Sequence, residues 1–396
     1  GLAGAGASGS IAGRFGQRPT LMATAFLFAA CALGSAFAGD VYALTGWRFG
    51  LGLAVGAATM VAPLYVAETA PSAWRGALVS GIQMAITVGI LSSYLVGLAF
   101  TASGEWRMML GLGAVPAVLL LGGLMFLPES PRWLVLAGRE EAGRKSWRSL
   151  LGGEWPEEDL AVIRHAGDEP KARLRDLFAP RLRPVLMVAA GLFLFTNLSG
   201  IDAILYYAPE IFRQVGFGGP TGPILATAGL GAINVVSTIA AMWLIDRVGR
   251  RPLLLWGLAP MTLALATMAL ALSLDPGGAI SGTVTLICLA AYIVAFAVSL
   301  GPLPYVLMSE LFPAAIRALG MSLAAATAWG VNAVVSLSFL PLMEWIGIAP
   351  VFALFAVVCA VAFAYTKRVV PETKGRSLEH IEQNLLAGRP TRELGD

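Results

Sequence analysis

The chain carries the sequence Asp246-Arg247-Val248-Gly249-Arg250-Arg251 between two long apolar stretches, and its charges and glycine predict a short basic loop. An eroded version, Gly9-x-x-x-Gly13-Arg14-x-Gly16-Gln17-Arg18, follows the first apolar stretch of the chain. Very short basic loops between apolar helices are expected to reverse the chain at one side of a bilayer. Their recurrence at matched places indicates an internal duplication, with one loop in each of two similar halves.

The composition indicates a membrane protein. Hydrophobic residues make up 57% of the chain and charged residues 13%, and the mean hydropathy is +0.75. These values are too apolar for a soluble protein of this length. A helix crosses a hydrocarbon core of about 30 Å with about 20 residues, and ten stretches with few or no charges are long enough. They are residues 19–38, 44–66, 76–99, 107–127, 185–212, 222–245, 251–274, 281–308, 317–340 and 348–366. The sequence therefore predicts an all-α membrane protein.

The basic residues predict the orientation and the domain organisation. Lys and Arg concentrate in the segments that lie on one side of the membrane if the spans alternate, and the positive-inside rule makes that side cytoplasmic. Nucleic-acid binding is therefore not indicated by the net charge of +3. We predict an N-terminal transmembrane bundle (1–127), a cytoplasmic linker with short helices (128–184), a C-terminal transmembrane bundle (185–366) and a cytoplasmic tail (367–396). Residues 1–13 are too short to span, and we expect an N-terminal truncation.

Five motifs follow one another along the chain. They are Pro63-x-Tyr65-x-x-Glu68-x-x-Pro71-x-x-x-Arg75-Gly76, Pro128-Glu129-Ser130-Pro131-Arg132-Trp133-Leu134, Leu198-Ser199-Gly200-Ile201-x-x-x-x-Tyr206-Tyr207-Ala208-Pro209, Gly301-Pro302-x-Pro304-Tyr305 with Ser309-Glu310-x-Phe312-Pro313-x-x-x-Arg317, and Pro371-Glu372-Thr373-Lys374-Gly375. This ordered set resembles the signatures of the sugar porter family of the major facilitator superfamily. The resemblance implies two pseudo-symmetric bundles of twelve helices in all, of which the first and part of the second would be missing here.

Charged residues cluster at the predicted cytoplasmic helix ends. Ion pairs there are individually weak, about 0–1 kcal/mol when exposed, but a partly desolvated network can bias which side of a transporter is closed. The resemblance implies that they form an inner gate; the alternative is that they only anchor helix ends. The candidates are Glu68, Arg75, Glu129, Arg132, Asp246, Arg250, Glu310 and Arg317. Because Gln17 stands where the family has a basic residue, we expect the second loop to contribute more to closure.

Polar residues inside the spans are candidates for substrate binding, because burying unpaired polar groups in a membrane is unfavourable. Amides donate to and accept from sugar hydroxyls, and an aromatic ring packs against the C–H face of a sugar. The resemblance places these residues in a central sugar site: Gln83, Thr196, Asn197, Asp202, Asn234, Tyr305, Trp329 and Asn332. The alternatives are hydrogen bonds between helices for the amides and core packing for Trp329.

The stretch Thr196-Asn197-Leu198-Ser199-Gly200-Ile201-Asp202 departs from the family pattern, because amide positions are changed and one has become a carboxylic acid. We expect a helix break near Ser199-Gly200, and a second break at Gly301-Pro302. Asp202 is predicted to bind substrate hydroxyls and is a candidate for proton coupling. Arg48, expected to be a buried charge, resembles the arginine that pairs with an acid in proton symporters.

These residues predict an alternating-access transporter of a monosaccharide or related polyol in a cell membrane, with the composition pointing to a bacterial inner membrane. Symport and facilitated diffusion both stay open. The alternatives are a transporter of another metabolite, such as an organic acid, and a nontransporting sugar receptor. No catalytic motif, metal cluster or cofactor site is predicted, so an enzyme is disfavoured; the expected partners are the sugar, the bilayer and, in a symporter, protons.

Overall fold

Helices make up most of the chain in this computed structural model, which describes residues 1–71, 75–157, 160–161, 163–164, 178–219, 221–275, 278–312, 316–374 and 378–394. Within these ranges no strand occurs, and ten helical segments are long and apolar enough to cross a membrane. Each coincides with one of the ten stretches predicted from hydropathy, so the all-α prediction is confirmed. The chain divides into two compact units, of which the first contains residues 1–82 and 103–171 and the second residues 83–102 and 172–396.

The first unit is built from helices α1 to α3 and α5 to α8, together with the start of α4. Their bounds are α1 Leu2–Phe15, α2 Gln17–Ala36, α3 Val41–Thr69, α4 Arg75–Phe100, α5 Trp106–Leu112, α6 Ala114–Phe126, α7 Pro131–Leu136 and α8 Glu140–Leu151. Small residues let α1 and α3 approach closely, since a Cβ on Gly4 would lie 2.1 Å from the Leu53 carbonyl oxygen. Close backbone approach through glycine is a common way for helices to pack in a membrane.

The linker forms a polar helical cluster after the first bundle. Glu140, at the start of α8, accepts hydrogen bonds from Arg144 (3.0 Å) and Arg164 (2.6 Å). These hydrogen bonds, first from Arg164 and then from Arg144, lower the pKa of the Glu140 carboxyl. Trp147 stacks on Trp155 with ring centroids 4.5 Å apart. Within the segment that the sequence predicts as a linker, the structure contains the short helices α7 and α8, whereas residues 165–177 lie outside the described part.

The second unit contains the remainder of α4 and the helices that follow the linker. Their bounds are α9 Arg183–Leu198, α10 Ile201–Gln214, α11 Gly222–Val248, α12 Arg250–Leu274, α13 Ala279–Val298, α14 Leu303–Leu311, α15 Arg317–Ile346, α16 Ile348–Val369 and α17 Leu378–Leu386. One large apolar core holds them together, with Phe193, Phe212 and Tyr292 among its fully buried side chains. Residues 83–102 belong to this unit, and the Tyr94 hydroxyl in this segment donates to the Leu205 carbonyl oxygen at 2.8 Å.

Two spans of the second unit are interrupted where the sequence predicts breaks. α9 ends at Leu198 and α10 begins at Ile201, with Gly200 in the left-handed region at φ +86°. The break leaves the Ser199 carbonyl oxygen outside regular helix, and the buried Tyr292 hydroxyl donates to it at 2.9 Å. This bond provides the partner that a backbone group needs at membrane depth. The second break separates α13 from α14 around Gly301-Pro302.

Candidate functional site

A carboxylate–amide pair lies near the middle of two spans in the second unit. Asn332, on α15, donates from its side-chain amide to the Asp202 carboxylate on the first turn of α10. Both side chains are half-buried. The break at Gly200 starts α10 one residue before Asp202, so that the carboxylate lies in the first turn, where a negative charge is favoured. The sequence predicted both residues, and the structure brings them together.

Two polar neighbours of this pair escaped the sequence analysis. Tyr206 lies on α10 one turn after Asp202, and the Ser336 hydroxyl lies 3.5 Å from the Asn332 Oδ1 oxygen. Tyr206 follows Asp202 by four residues, and Ser336 follows Asn332 by four. Since residues four apart share a helix face, that spacing is the signal that could have identified them.

The other predicted substrate residues have different surroundings. Thr196 donates to the Leu192 carbonyl oxygen at 2.8 Å, and the buried Asn197 amide donates to the Phe193 carbonyl oxygen at 2.9 Å. Tyr305 packs edge-on against the Phe193 ring, with centroids 4.9 Å apart, and keeps 43% of its surface exposed. Asn234 is buried, whereas Gln83 and Trp329 are half-buried. Within the described part, no hydrogen bond joins Gln83, Asn234 or Trp329 to the Asp202–Asn332 pair.

Arg48 is exposed in the structure, so the prediction that it is a buried charge is wrong. α1 contacts α3 at Gly52, Leu53 and Gly56, and Arg48 lies one turn beyond Gly52 on the same face. Trp47 and Gly50 face α2 instead, against Gly34 and Cys31. The described helices therefore leave the guanidinium uncovered.

A capping cluster closes the N-terminus of α2 in the first unit. Glu129 accepts from the backbone N–H groups of Gln17 at 3.2 Å and Arg18 at 3.1 Å. Glu68 accepts from the Gln17 side-chain amide at 2.7 Å and from the Ser130 hydroxyl. Gly16 has φ +107°, and a Cβ there would lie 2.2 Å from a Glu129 carboxylate oxygen. The glycine of the loop is therefore required both by its backbone conformation and by the approach of Glu129.

An equivalent cluster closes the N-terminus of α12 in the second unit. Glu372 accepts from the backbone N–H groups of Arg250 at 3.1 Å and Arg251 at 3.0 Å. Glu310 accepts from the Arg250 guanidinium at 2.9 Å and from the Thr373 hydroxyl at 2.5 Å. The Arg250 and Glu310 side chains are only 14% and 19% exposed, so solvent screens this ion pair little. Gly249, at φ +108°, stands where Gly16 does in the first cluster.

The two clusters match residue by residue, apart from one change of charge. Arg250 bonds Glu310 as an ion pair, whereas the neutral Gln17 bonds Glu68. The roles of Gln17, Ser130, Glu372 and Thr373 were missed, although Pro128-Glu129-Ser130 and Pro371-Glu372-Thr373 are visibly related. Arg132 is exposed, with its charge acting on Glu68. The remaining predicted gate side chains lie outside the described part: Arg75, Asp246 and Arg317.

Comparisons with known proteins identify the family of the chain. Residues 1–385 match the family described as “Sugar (and other) transporter”. The protein YwtG of Bacillus subtilis (strain 168) is 43% identical over 385 residues, covering 97% of this chain and 84% of YwtG. The galactose-proton symporter of Escherichia coli (strain K12) is 37% identical over 395 residues, covering 99% of this chain and 85% of the symporter. Among solved structures, the proton:xylose symporter XylE from E. coli matches with a TM-score of 0.81 at 31% identity, covering 96% of this chain and 86% of XylE.

Proposed function

This chain belongs to the sugar transporter family, and on that premise we propose that it moves a monosaccharide or a related polyol across the membrane by alternating access. It has the major facilitator fold and is a multi-pass membrane transporter rather than an enzyme. The bacterial proteins that it resembles support a bacterial cell membrane as its location. The similar proteins include symporters of protons with galactose and with xylose. We infer from them that a proton accompanies the sugar here.

The Asp202–Asn332 pair is the observation that carries the substrate proposal. A carboxylate near the middle of a span is unfavourable by about 2.5–3.5 kcal/mol on insertion scales, so it needs partners. Asn332 supplies one hydrogen bond, whereas two carboxylate oxygens offer about four acceptor positions. Sugar hydroxyls are suited to the remaining positions. The exposed part of the Tyr305 ring offers an apolar surface for the C–H face of the same sugar.

Proton coupling at Asp202 follows from the same geometry. An ionised Asp202 accepts from the Asn332 amide N–H. A protonated Asp202 would keep acceptor capacity but gain an O–H donor, and this added donor changes what the site offers to a hydroxyl. Because the Ser336 hydroxyl lies 3.5 Å from the Asn332 Oδ1 oxygen, a change at Asp202 would also affect this neighbouring polar group. We therefore propose that sugar affinity depends on the protonation of Asp202.

We place the cytoplasmic gate at the two capping clusters. The support is that each cluster ties together helix ends that are distant in sequence, as Glu310 does with Arg250 and Thr373. The hydrogen bonds of such a cluster can form together or break together, so the cluster can switch between two discrete arrangements. Because the second cluster contains an ion pair, we propose that it contributes more than the first to keeping the cytoplasmic side closed.

Counterflow in proteoliposomes tests the proposed function. Proteoliposomes that contain the protein are loaded with an unlabelled solute. They are then exposed to labelled hexoses, pentoses, inositols or organic acids, with and without an imposed proton gradient. We expect exchange of at least one monosaccharide or polyol, and accumulation of it when the gradient is applied. Exchange of organic acids alone would contradict the substrate class, and sugar binding without exchange would indicate a receptor.

The Asp202→Asn variant tests the site in the same assay. Replacing the carboxylate by an amide should weaken sugar affinity and remove its pH dependence. Glu210→Gln is a matched control, since Glu210 lies on the same helix and, among the described residues, bonds its near neighbours Arg213 at 2.9 Å and Gln214 at 3.3 Å. If Asp202→Asn keeps both the affinity and the pH dependence of the wild type, neither proposed role of Asp202 stands.

A further inference from the structure

A basic cavity of about 400 Å³ lies at the end of α16 in the second unit, remote in sequence from the Asp202–Asn332 pair. Its lining combines two apolar residues with three cations: Phe363, Ala364, Lys367, Arg368 and Arg392. The positive-inside rule places this end of α16 at the cytoplasmic surface. The cavity therefore opens where a membrane presents its lipid headgroups.

The C-terminal tail is folded so that it completes this cavity. Leu394 is fully buried in the core of the second unit, and its carbonyl oxygen accepts from the buried Asn384 amide at 3.1 Å. These two contacts fix the turn Thr391–Glu393 and with it the backbone of Arg392. The tail thereby brings Arg392 into the lining of the cavity that Lys367 and Arg368 also line, although these two residues lie 24 residues or more earlier in the chain. The proximity of the three cations is thus a product of tertiary structure.

Positive charge in this cavity is not balanced by a carboxylate from the described part of the chain. Among the described residues, no ion pair involves Lys367, Arg368 or Arg392. A further guanidinium lies close by, because Arg251 donates to the Lys367 carbonyl oxygen at 2.9 Å. The negative end of the α16 dipole stabilises cations in its last turn, which explains Lys367 and Arg368. It does not explain why the tail brings Arg392 to the same place.

We propose that this cavity binds the phosphate of an anionic phospholipid headgroup. Arg and Lys suit phosphate oxygens through charge-assisted hydrogen bonds, and basic pockets on the cytoplasmic side of helices suit anionic headgroups. Phe363 and Ala364 lie one turn before the cations, on the side of the bilayer core. That position gives the first carbons of an acyl chain an apolar surface. A soluble phosphate ester would leave the apolar half of the cavity unused.

Native mass spectrometry of the purified full chain in detergent tests the site. The protein is titrated with phosphatidylglycerol, cardiolipin or zwitterionic phosphatidylethanolamine, and the bound fraction is measured. We expect a first bound anionic lipid with clearly higher affinity than phosphatidylethanolamine. Arg392→Gln should weaken that first binding about fivefold, and Arg368→Gln with Arg392→Gln about 30-fold, as expected for each cation removed near a lipid surface.

Arg389→Gln is the matched control, because Arg389 is exposed on the same tail, outside the cavity, and its loss changes the net charge equally. Equal weakening by Arg389→Gln and Arg392→Gln would show only general charge attraction and overturn the site. Displacement of the lipid by millimolar inorganic phosphate would show a soluble phosphate site and overturn the lipid assignment. Lys367→Gln provides a second single variant, and thermal unfolding in detergent establishes that each variant is folded.

Discussion

Asn332 on α15 donates its side-chain amide to the Asp202 carboxylate on α10, and so joins two spans at the level where a transported sugar is expected. Removing the amide leaves a half-buried carboxylate without that partner. An unpaired polar group of this kind costs about 1–3 kcal/mol. Asn332→Ala should therefore raise the KM for the sugar by about 5- to 150-fold, as measured by initial uptake rates in proteoliposomes.

Ser338→Ala is the control for Asn332→Ala. Ser338 is exposed on the same helix, and its hydroxyl donates only to carbonyl oxygens of its own helix, at 2.7 Å for Val334. The double variant Asp202→Asn with Asn332→Ala should show strong non-additivity, since each single substitution already disrupts the same interaction. Additive effects of the two substitutions would mean that the pair does not act together on the sugar.

Gln17→Arg should convert the first capping cluster into the charge pattern of the second. The introduced guanidinium would reach Glu68 as the guanidinium of Arg250 reaches Glu310, whereas Glu310→Gln removes the existing ion pair. We expect Gln17→Arg to make the cytoplasmic side harder to open and Glu310→Gln to make it easier. The measurement is the rate at which a membrane-impermeant maleimide, applied from the cytoplasmic side, labels a cysteine placed at position 336.

The gate variants need a control for added charge. Gln214→Arg makes the same substitution at an exposed position on the last turn of α10. Its labelling rate should equal that of the wild type. If Gln17→Arg and Glu310→Gln shift the rate in the same direction, the clusters do not determine the opening of this side.

Gly200→Ala should destabilise the protein through two separate effects. A left-handed conformation costs an ordinary residue about 1–2 kcal/mol, and the new Cβ would lie 2.4 Å from the Phe355 ring. Overpacking of this kind typically adds about 1–3 kcal/mol. Gly219→Ala separates the effects, because Gly219 has φ +73° but no atom within 4 Å of a Cβ. The fall in the thermal unfolding midpoint should be clearly larger for Gly200→Ala.

The linker cluster around Glu140 should respond to acid. The pKa of Glu140 is lowered from its ordinary value of 4.5 by hydrogen bonds from Arg164 and Arg144. Its contribution to stability is therefore present above about pH 4.5 and is lost as the pH falls through the lower value in the folded state. At pH 7, Glu140→Gln should speed limited proteolysis of the linker, and this difference should vanish at strongly acidic pH.

Glu141→Gln is the control for the linker, because Glu141 is the exposed neighbour of Glu140 on the same helix. The rate of linker proteolysis of the Glu141→Gln variant should equal that of the wild type at every pH. A difference between wild type and Glu140→Gln that persists unchanged into strong acid would contradict the assigned role of the two arginines.

The spans and their breaks were predictable because their physical causes are local. Membrane thickness fixes the length of an apolar stretch, and Gly200 and Pro302 mark the interruptions by their own backbone properties. The helix caps were not predictable in this way. Glu372 approaches α12 from more than a hundred residues away, and only the related motifs Pro128-Glu129-Ser130 and Pro371-Glu372-Thr373 hinted at it.

The candidate site was predicted only in part, for a similar reason. Asp202 and Asn332 stand out because a polar residue in an apolar span is conspicuous, and their contact depends on the packing of α10 against α15. Asn197 was equally conspicuous, yet its amide bonds the Phe193 carbonyl oxygen of its own helix.

The capping carboxylates also determine an order of events during synthesis. Arg18 and Glu129 lie 111 residues apart, and Arg251 and Glu372 lie 121 apart. The ribosome therefore releases the first turn of α2 or α12 long before its cap exists, and those amides must meanwhile be hydrated. Each cap can form only after the last long helix of its half has been synthesised. The first half can thus complete its own assembly while the second is still being translated.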